Sequence, residues 1–191
     1  MNKQLVVSHY EQDLTWVHEA STYIDMVVYD KSEKDSNYSK LRNIGREPHT
    51  YMHHIVENYD SLAEWTIFAQ DNPFDHVEDW SSILSGNTVV WDALSNFTYK
   101  GGYFFSNMGL VHCDQAGLPH HPGLPIVEVW DRIFNVECPT LLEFVPGCHF
   151  ILHRDLIRTK PRTFYENTKS VLESMEGAPW VLERLITYIF R

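Results

Sequence analysis

Glu64-Trp65-Thr66-Ile67-Phe68-Ala69-Gln70-Asp71-Asn72-Pro73-Phe74-Asp75-His76 is an apolar run that stops abruptly in acidic and amide side chains. Its β-branched and aromatic part, Trp65 to Ala69, predicts a short buried strand. Asn72-Pro73 breaks that strand, so Asp71 falls at its carboxyl end, while Phe74 is expected in the core. In open α/β sheets ligands bind at the carboxyl edge.

Upstream, Leu5-Val6-Val7 reads as a buried strand ending at Ser8-His9-Tyr10, and Asp13 opens a helix carrying Leu14 and Val17. Tyr23 to Tyr29 gives a second strand ending at Asp30, followed by a charged, loop-like Lys31 to Lys40. Pro48 at a first helical position fits a helix reaching about Tyr59. On that helix Tyr51, Met52, Ile55, Val56 and Tyr59 share one arc, and His49, His53 and Glu57 lie opposite, so the histidines are expected to point outward. The first 75 residues thus read β-α-β-α-β, which implies a mainly parallel sheet with right-handed crossovers.

Downstream, the pattern predicts a short helix over Val77 to Leu84, a short strand over Thr88 to Trp91 and an aromatic loop over Tyr99 to Tyr103. Gly109 to Pro125 is too broken by Pro and Gly for a regular element and reads as a functional loop carrying His112, Asp114, His120 and His121. A helix follows on Ile126, Val129, Trp130 and Ile133. Leu141 to Val145 and Cys148 to Leu152 read as strands around Pro146-Gly147, and two helices begin after Pro161 and Pro179.

With 191 residues and 43% hydrophobic composition the chain suffices for one α/β domain spanning 1–191. Its net charge of -11, from 15 Lys and Arg against 26 Asp and Glu, argues against a nucleic-acid surface. Cys113, Cys138 and Cys148 are odd in number and lack a paired spacing, which suits a reducing, cytoplasmic setting. The sequence shows neither a secretory leader nor a transmembrane-length apolar run.

Val6-Val7-Ser8-His9-Tyr10-Glu11-Gln12-Asp13-Leu14, the strand-terminal Asp30, Asn43-Ile44-Gly45-Arg46 and the end of the Trp65 strand together resemble the GT-A class of nucleotide-sugar glycosyltransferases, especially its inverting group. Ser8-His9-Tyr10, Gly45-Arg46-Glu47-Pro48-His49-Thr50-Tyr51 and Phe74-Asp75-His76 resemble more closely an uncharacterised fungal domain family. A similar domain occurs in glycosyltransferases of large algal (chlorella) viruses. The resemblance runs from Gln4 to Leu185.

It implies a GT-A (Rossmann-like) mixed sheet flanked by helices and transfer of a sugar from a nucleoside-diphosphate donor, UDP favoured, to a hydroxyl of a glycan or glycoprotein. It also implies Mn²⁺ or Mg²⁺ at an Asp-x-Asp motif. Here Glu11-Gln12 replaces the family's Asn-Glu, and the motif is not literally present. If Ala69-Gln70-Asp71 matches it, one carboxylate survives as ligand; if Gln70-Asp71-Asn72 matches, amides replace both ends. The first register keeps a charged oxygen for a hard cation, and Mg²⁺ is often held by one or two carboxylates plus substrate phosphates.

On this resemblance Asp71, Asp75 and His153 are the candidate metal ligands, His153 being preferred to His149 because it ends an apolar run. Tyr10 is a candidate to pack on a base and Asp30 to accept from base or ribose. Arg46, beside a helix N-terminus, and Arg154 are candidates for phosphate. Inverting transfer needs a base to take the acceptor's proton, for which Glu183 and Asp75 are candidates. Each has a plainer reading: Asp75 as a turn or helix cap, His153 as a surface or capping histidine, Arg46 paired with Glu47, Arg154 with Asp155 and Glu183 with Arg184.

Two other functions compete. One is a metal-dependent hydrolase built on His49, His53, His54 and the His112 to His121 loop, against which stands the absence of a His-Glu-x-x-His pattern. The other is a non-catalytic carbohydrate-binding module that uses the aromatics as sugar platforms. A chain this compact has little room for an acceptor domain, so it also suits one domain of a larger enzyme, or an open acceptor face along His112 to Pro125.

Overall fold

The structure is a computed structural model describing residues 1–191. Its first half is β1 (Lys3–His9), α1 (Thr15–Ala20), β2 (Asp25–Asp30), β3 (Ser39–Lys40), α2 (Arg46–Asn58) and β4 (Trp65–Gln70). The apolar runs centred on Val6, Val28 and Phe68 form parallel strands with β1 in the middle: Val6 pairs with Val27 of β2 and with Phe68 of β4. His9 lies level with Asp30 and Ser8 with Gln70, so Tyr10, Lys31 and Asp71 emerge together at one edge.

After a 3₁₀ turn at Pro73–Asp75 come α3 (Trp80–Ser85), α4 (Thr88–Leu94), β5 (Phe97–Tyr99), β6 (Gly102–Phe105), β7 (Val111–Asp114) and α5 (Ile126–Ile133). The chain ends with β8 (Leu141–Phe144), β9 (His149–His153), α6 (Arg154–Ile157), α7 (Arg162–Ser174) and α8 (Ala178–Ile189). The main sheet has the order β3-β2-β1-β4-β9-β6-β5. The β3 to β4 half is parallel, and β9, β6 and β5 add antiparallel. Because β6 reverses β9, which itself reverses β4, β6 points the same way as the parallel half.

Alternating side chains divide the sheet between two cores. Val6, Phe68, Phe150 and Leu152 face the layer containing α2, α5, α7 and α8. Leu5, Val7, Ile67, Ala69 and Ile151 face α1, α3 and α4. On the first face Tyr51, Phe68 and Phe150 form an aromatic cluster with ring centroids 5.0–5.4 Å apart. Each such side chain contributes about 1.5–3 kcal/mol by burial. No helix is long and apolar enough to cross a membrane.

Four local expectations change. Thr88 to Trp91 is helical, because the Asn87 side chain accepts the N–H groups of Val89 and Val90 at 3.0 and 3.5 Å and caps α4. Tyr99 to Tyr103 is a tight β5-β6 hairpin whose turn residues, Lys100 and Gly101, both have positive φ. The Gly109 to Pro125 loop contains β7, which pairs with β8 in a separate two-stranded sheet. His49 is buried rather than outward, since α7 covers the far side of α2 and its Nε2 lies 2.9 Å from Glu173 Oε1.

Candidate functional site

β1 lies between β2 and β4, so the connections diverge at its carboxyl end. In doubly wound sheets that crevice is where ligands bind. A cavity of about 310 Å³ opens there, lined by His9 at the end of β1, Tyr10 after it, Lys31 after β2, Asp71 after β4, and Arg46 and Glu47 at the start of α2. Its size lies at the lower end of small-molecule sites.

Asp71 is fixed from below. Its Oδ2 accepts the backbone N–H of Tyr10 at 2.8 Å and of Gln12 at 3.2 Å, and lies 3.2 Å from His9 Nδ1. The carboxylate thereby closes the β1-α1 turn against the end of β4. The Trp16 indole N–H donates to the Asp71 carbonyl at 2.7 Å and holds the same turn from α1. Tyr10 leaves its ring half in solvent at the cavity mouth.

Lys31 is buried, and its ammonium donates to the carbonyls of Ile44 and Arg46, each at 2.6 Å. Burial pulls its pKa down to about 8, with Glu47 opposing the shift. The carbonyls it holds belong to an uncommon turn: Gly45 and Arg46 both have positive φ, at 65° and 49°. A non-glycine residue there costs about 1–3 kcal/mol, and such strain clusters at functional sites. Arg46 lies with its guanidinium carbon 5.5 Å from the Trp180 ring, and Nε makes a long 3.4 Å contact with Glu47.

Arg46 and Glu47 also line a second cavity of about 120 Å³, together with Gln70, Cys148, Trp180 and Glu183. Cys148 is another strained residue, with φ of 56° immediately after Gly147, so two of the chain's three positive-φ non-glycine residues meet here. Glu183 is firmly held: Oε1 accepts Gly147 N–H at 2.8 Å and Oε2 accepts Arg184 at 2.6 Å. Trp180 also lines a third, more open cavity of about 470 Å³ bounded by His121, Leu124 and Pro125. Shared wall residues thus connect the three spaces in the order sheet edge, Arg46 and Glu47, Trp180, His121 loop.

The structure therefore gathers Tyr10, Arg46, Asp71 and Glu183 along one cleft and sends other candidates elsewhere. Asp30 is buried below the edge, where Lys40 Nζ, Ser36 Oγ and Ser32 N–H donate to its carboxylate at 2.7, 2.5 and 2.7 Å. Burial alone would raise its pKa; those hydrogen bonds outweigh it and hold the carboxyl well below the usual range. Both oxygens are committed, so Asp30 organises the β2-β3 loop instead of facing a ligand. Asp75 is exposed and accepts from Asn72 Nδ2 at 2.7 Å, the turn role. Phe74 is also exposed, edge-on to Trp16.

His153 and Arg154 lie at the opposite edge of the sheet. Because β9 runs antiparallel to β4, His153 pairs with Trp65 at the beginning of β4, and Arg154 N–H donates to Glu64 O. His153 Nδ1 caps α6 by accepting Asp155 N–H at 3.3 Å. The histidine that β9 brings to Asp71's edge is His149, at the start of the strand. It is buried against Trp80 and His76, and burial lowers its pKa to about 3.

The three residues expected to hold the divalent ion do not form one donor set. Asp71, Asp75 and His153 do not converge, and no three His, Cys, Asp or Glu side chains come together anywhere as a metal site. At the cavity, Asp71 Oδ2 already takes three hydrogen-bonding contacts. The histidines of the hydrolase alternative are likewise dispersed: His49 contacts Glu173, His54 contacts Tyr29, and His112 contacts Glu143.

Sequence reasoning passed over Lys31 and Glu47. Lys31 directly follows a strand-terminal residue, and the rule that selected Tyr10 and Asp71 applies to it equally. Glu47 is adjacent to Arg46 and was treated only as its partner. Trp180 carried no local signal, since nothing in α8 says that its start returns to α2.

The chain is an α/β protein with a mixed, mostly parallel sheet flanked by helices and a cavity at the carboxyl edge of its parallel strands. The chain belongs to the family described as "Protein of unknown function (DUF3431)", whose sequence model matches residues 5–191. No curated protein and no solved structure matches it significantly.

Proposed function

We propose that the protein is a glycosyltransferase that seats a nucleoside-diphosphate sugar, a UDP-sugar favoured, in the cavity between β1, β2, β4 and α2. It passes the sugar to a hydroxyl of a glycan or glycoprotein acceptor. The observation that carries this reading is the placement of the 310 Å³ cavity, with the 120 Å³ cavity on the other side of Arg46 and Glu47, at the switch point of a parallel sheet. The GT-A resemblance of the segments that form this edge supports it.

In this reading Tyr10 offers its exposed ring to the base. Lys31 and Arg46 face the diphosphate, and the acceptor approaches along Trp180 from the His121 loop. Transfer, with inversion slightly favoured, joins the acceptor oxygen to the anomeric carbon as the bond to the diphosphate oxygen breaks. The electron pair leaves with the diphosphate, and the hydroxyl proton passes to a carboxylate of the middle cavity. Glu183 and Glu47 are the two carboxylates there.

Calorimetric titration with UDP and GDP, in the presence of Mn²⁺, tests the reading. Saturable binding of one nucleotide, weakened by Arg46→Ala, is the expected result. Absence of binding by both overturns it.

A further inference from the structure

We propose that Lys31 and Arg46, rather than a divalent ion, supply the positive charge that meets the donor's diphosphate in this family member. The proposal rests on the nucleotide-sugar reading and assigns its phosphate subsite to residues that no metal motif includes.

Three observations converge on it. First, the expected ion donors are dispersed: His153 is at the far edge of the sheet and Asp75 is committed to Asn72. Second, Asp71 is used as a turn clamp. Two backbone N–H groups and the His9 ring surround Oδ2, so only Oδ1 of that carboxylate is left to meet an ion.

Third, the cavity has its own cations, placed on either side of the α2 entrance. Lys31 is only 4% exposed yet lines the cavity. Two carbonyls take two of its three ammonium hydrogens, leaving one donor for a ligand. Burying a lysine without a carboxylate partner is unfavourable, and the lowered pKa expresses that cost. A bound phosphate would offset it. Arg46 contributes through its terminal nitrogens, which make no hydrogen bond within the protein, while Trp180 and Glu47 steady its stem. A guanidinium fork so presented suits two phosphate oxygens.

The cavity's own carboxylates offset part of this charge: Glu47 contacts Arg46 at 3.4 Å through Nε alone, and Asp71 turns Oδ2 to the backbone N–H groups of Tyr10 and Gln12. The strained Gly45-Arg46 turn has a role here too, since it is the backbone geometry that places both the carbonyl cradle of Lys31 and the Arg46 side chain at one entrance.

The test is calorimetry of the full chain with UDP and, separately, inorganic pyrophosphate, in EDTA and in Mn²⁺. Both probes are expected to bind in EDTA. Lys31→Met is expected to weaken each about tenfold to a hundredfold, the worth of a charged hydrogen bond. Arg46→Ala, a partly exposed position whose folding can be checked by circular dichroism, should weaken both probes as well. Asp71→Asn keeps an acceptor for the turn and removes one negative charge, so UDP should bind it in EDTA at least as tightly as the parent.

Binding of UDP only in Mn²⁺, with its loss in Asp71→Asn, would overturn the proposal and leave the nucleotide reading intact. Pyrophosphate binding in EDTA without UDP or GDP binding under any condition would overturn the nucleotide reading and keep the anion site. Failure of every probe overturns both.

Discussion

The backbone N–H of Tyr10 donates to Asp71 Oδ2 at 2.8 Å, joining the ends of two neighbouring parallel strands through one carboxylate. With Gln12 N–H and His9 on the same oxygen, Asp71 holds the β1-α1 turn in the shape that forms one wall of the cavity. Its place at the strand end serves the architecture of the site before any ligand arrives.

Asp71→Ala should therefore destabilise the fold by about 0.5–1.5 kcal/mol, the net worth of hydrogen bonds whose exposed Tyr10 and Gln12 N–H donors turn to water when the acceptor is removed. Asp71→Asn, whose amide oxygen can accept the same N–H groups, should lose less than half of that. Urea denaturation of the two variants and the parent distinguishes this clamp from a purely ligand-facing carboxylate, for which both variants would match the parent.

Asp30 gives a larger effect for a related reason. Removing a buried carboxylate that satisfies Ser36 and Ser32 leaves two donors without their acceptor, while half-exposed Lys40 keeps the carbonyls of Ser32 and Lys34, and Asp30→Ala should cost about 2–4 kcal/mol. Denaturation midpoints of Asp30→Ala and the parent check this, and equal midpoints contradict it.

Acid should unfold the protein well before its carboxylates protonate. Burial lowers His49 and His54 to about 4 and His149 to about 3; only His49 has a carboxylate, Glu173, opposing the shift. A histidine with a depressed folded pKa binds its proton more readily in the unfolded chain, so stability falls as pH drops from about 6.5 towards 4. Each of the three contributes on the order of 2–4 kcal/mol across that window. Denaturation midpoints measured from pH 7.5 to 4.5 should fall steadily, and His149→Phe, next to Trp80 and His76, should flatten the slope. A pH-independent midpoint across that range contradicts the assignment.

His153→Ala and Arg154→Ala should leave UDP binding unchanged, because both residues stand at the amino-terminal edge of β4. Calorimetry on these variants checks the direction of β9 as much as the site. Loss of binding in either would place the nucleotide at the wrong edge for the account given above.

Three strands of the parallel half, β1, β2 and β4, were legible from residue pattern alone, whereas the two-residue β3 lies in a stretch that reads as loop. The runs around Val6, Val28 and Phe68 are apolar on both faces, as strands covered by helices on each side must be, and Pro48, Pro161 and Pro179 mark the first turns of three helices. The sense of β9 was not legible. His149-Phe150-Ile151-Leu152-His153 reads the same in either direction, and only its pairing with β4 decides which histidine reaches Asp71's edge. The same limit hid the burial of His49, since helical periodicity identifies the face towards the sheet but says nothing of α7 packing behind it. Lys31 was obscured differently: its charge placed it with the loop, whereas the two carbonyls that make its burial possible come from a turn 13 and 15 residues further on.

Amide hydrogen exchange with and without saturating UDP tests the central claim most directly. The account predicts slower exchange in Ser8 to Gln12, Lys31 to Ser32, Arg46 to Thr50 and around Asp71, with no change from His153 to Arg158. Protection confined to any other edge of the sheet, or none at UDP concentrations far above those reached by sugar-nucleotide enzymes' substrates, would contradict it.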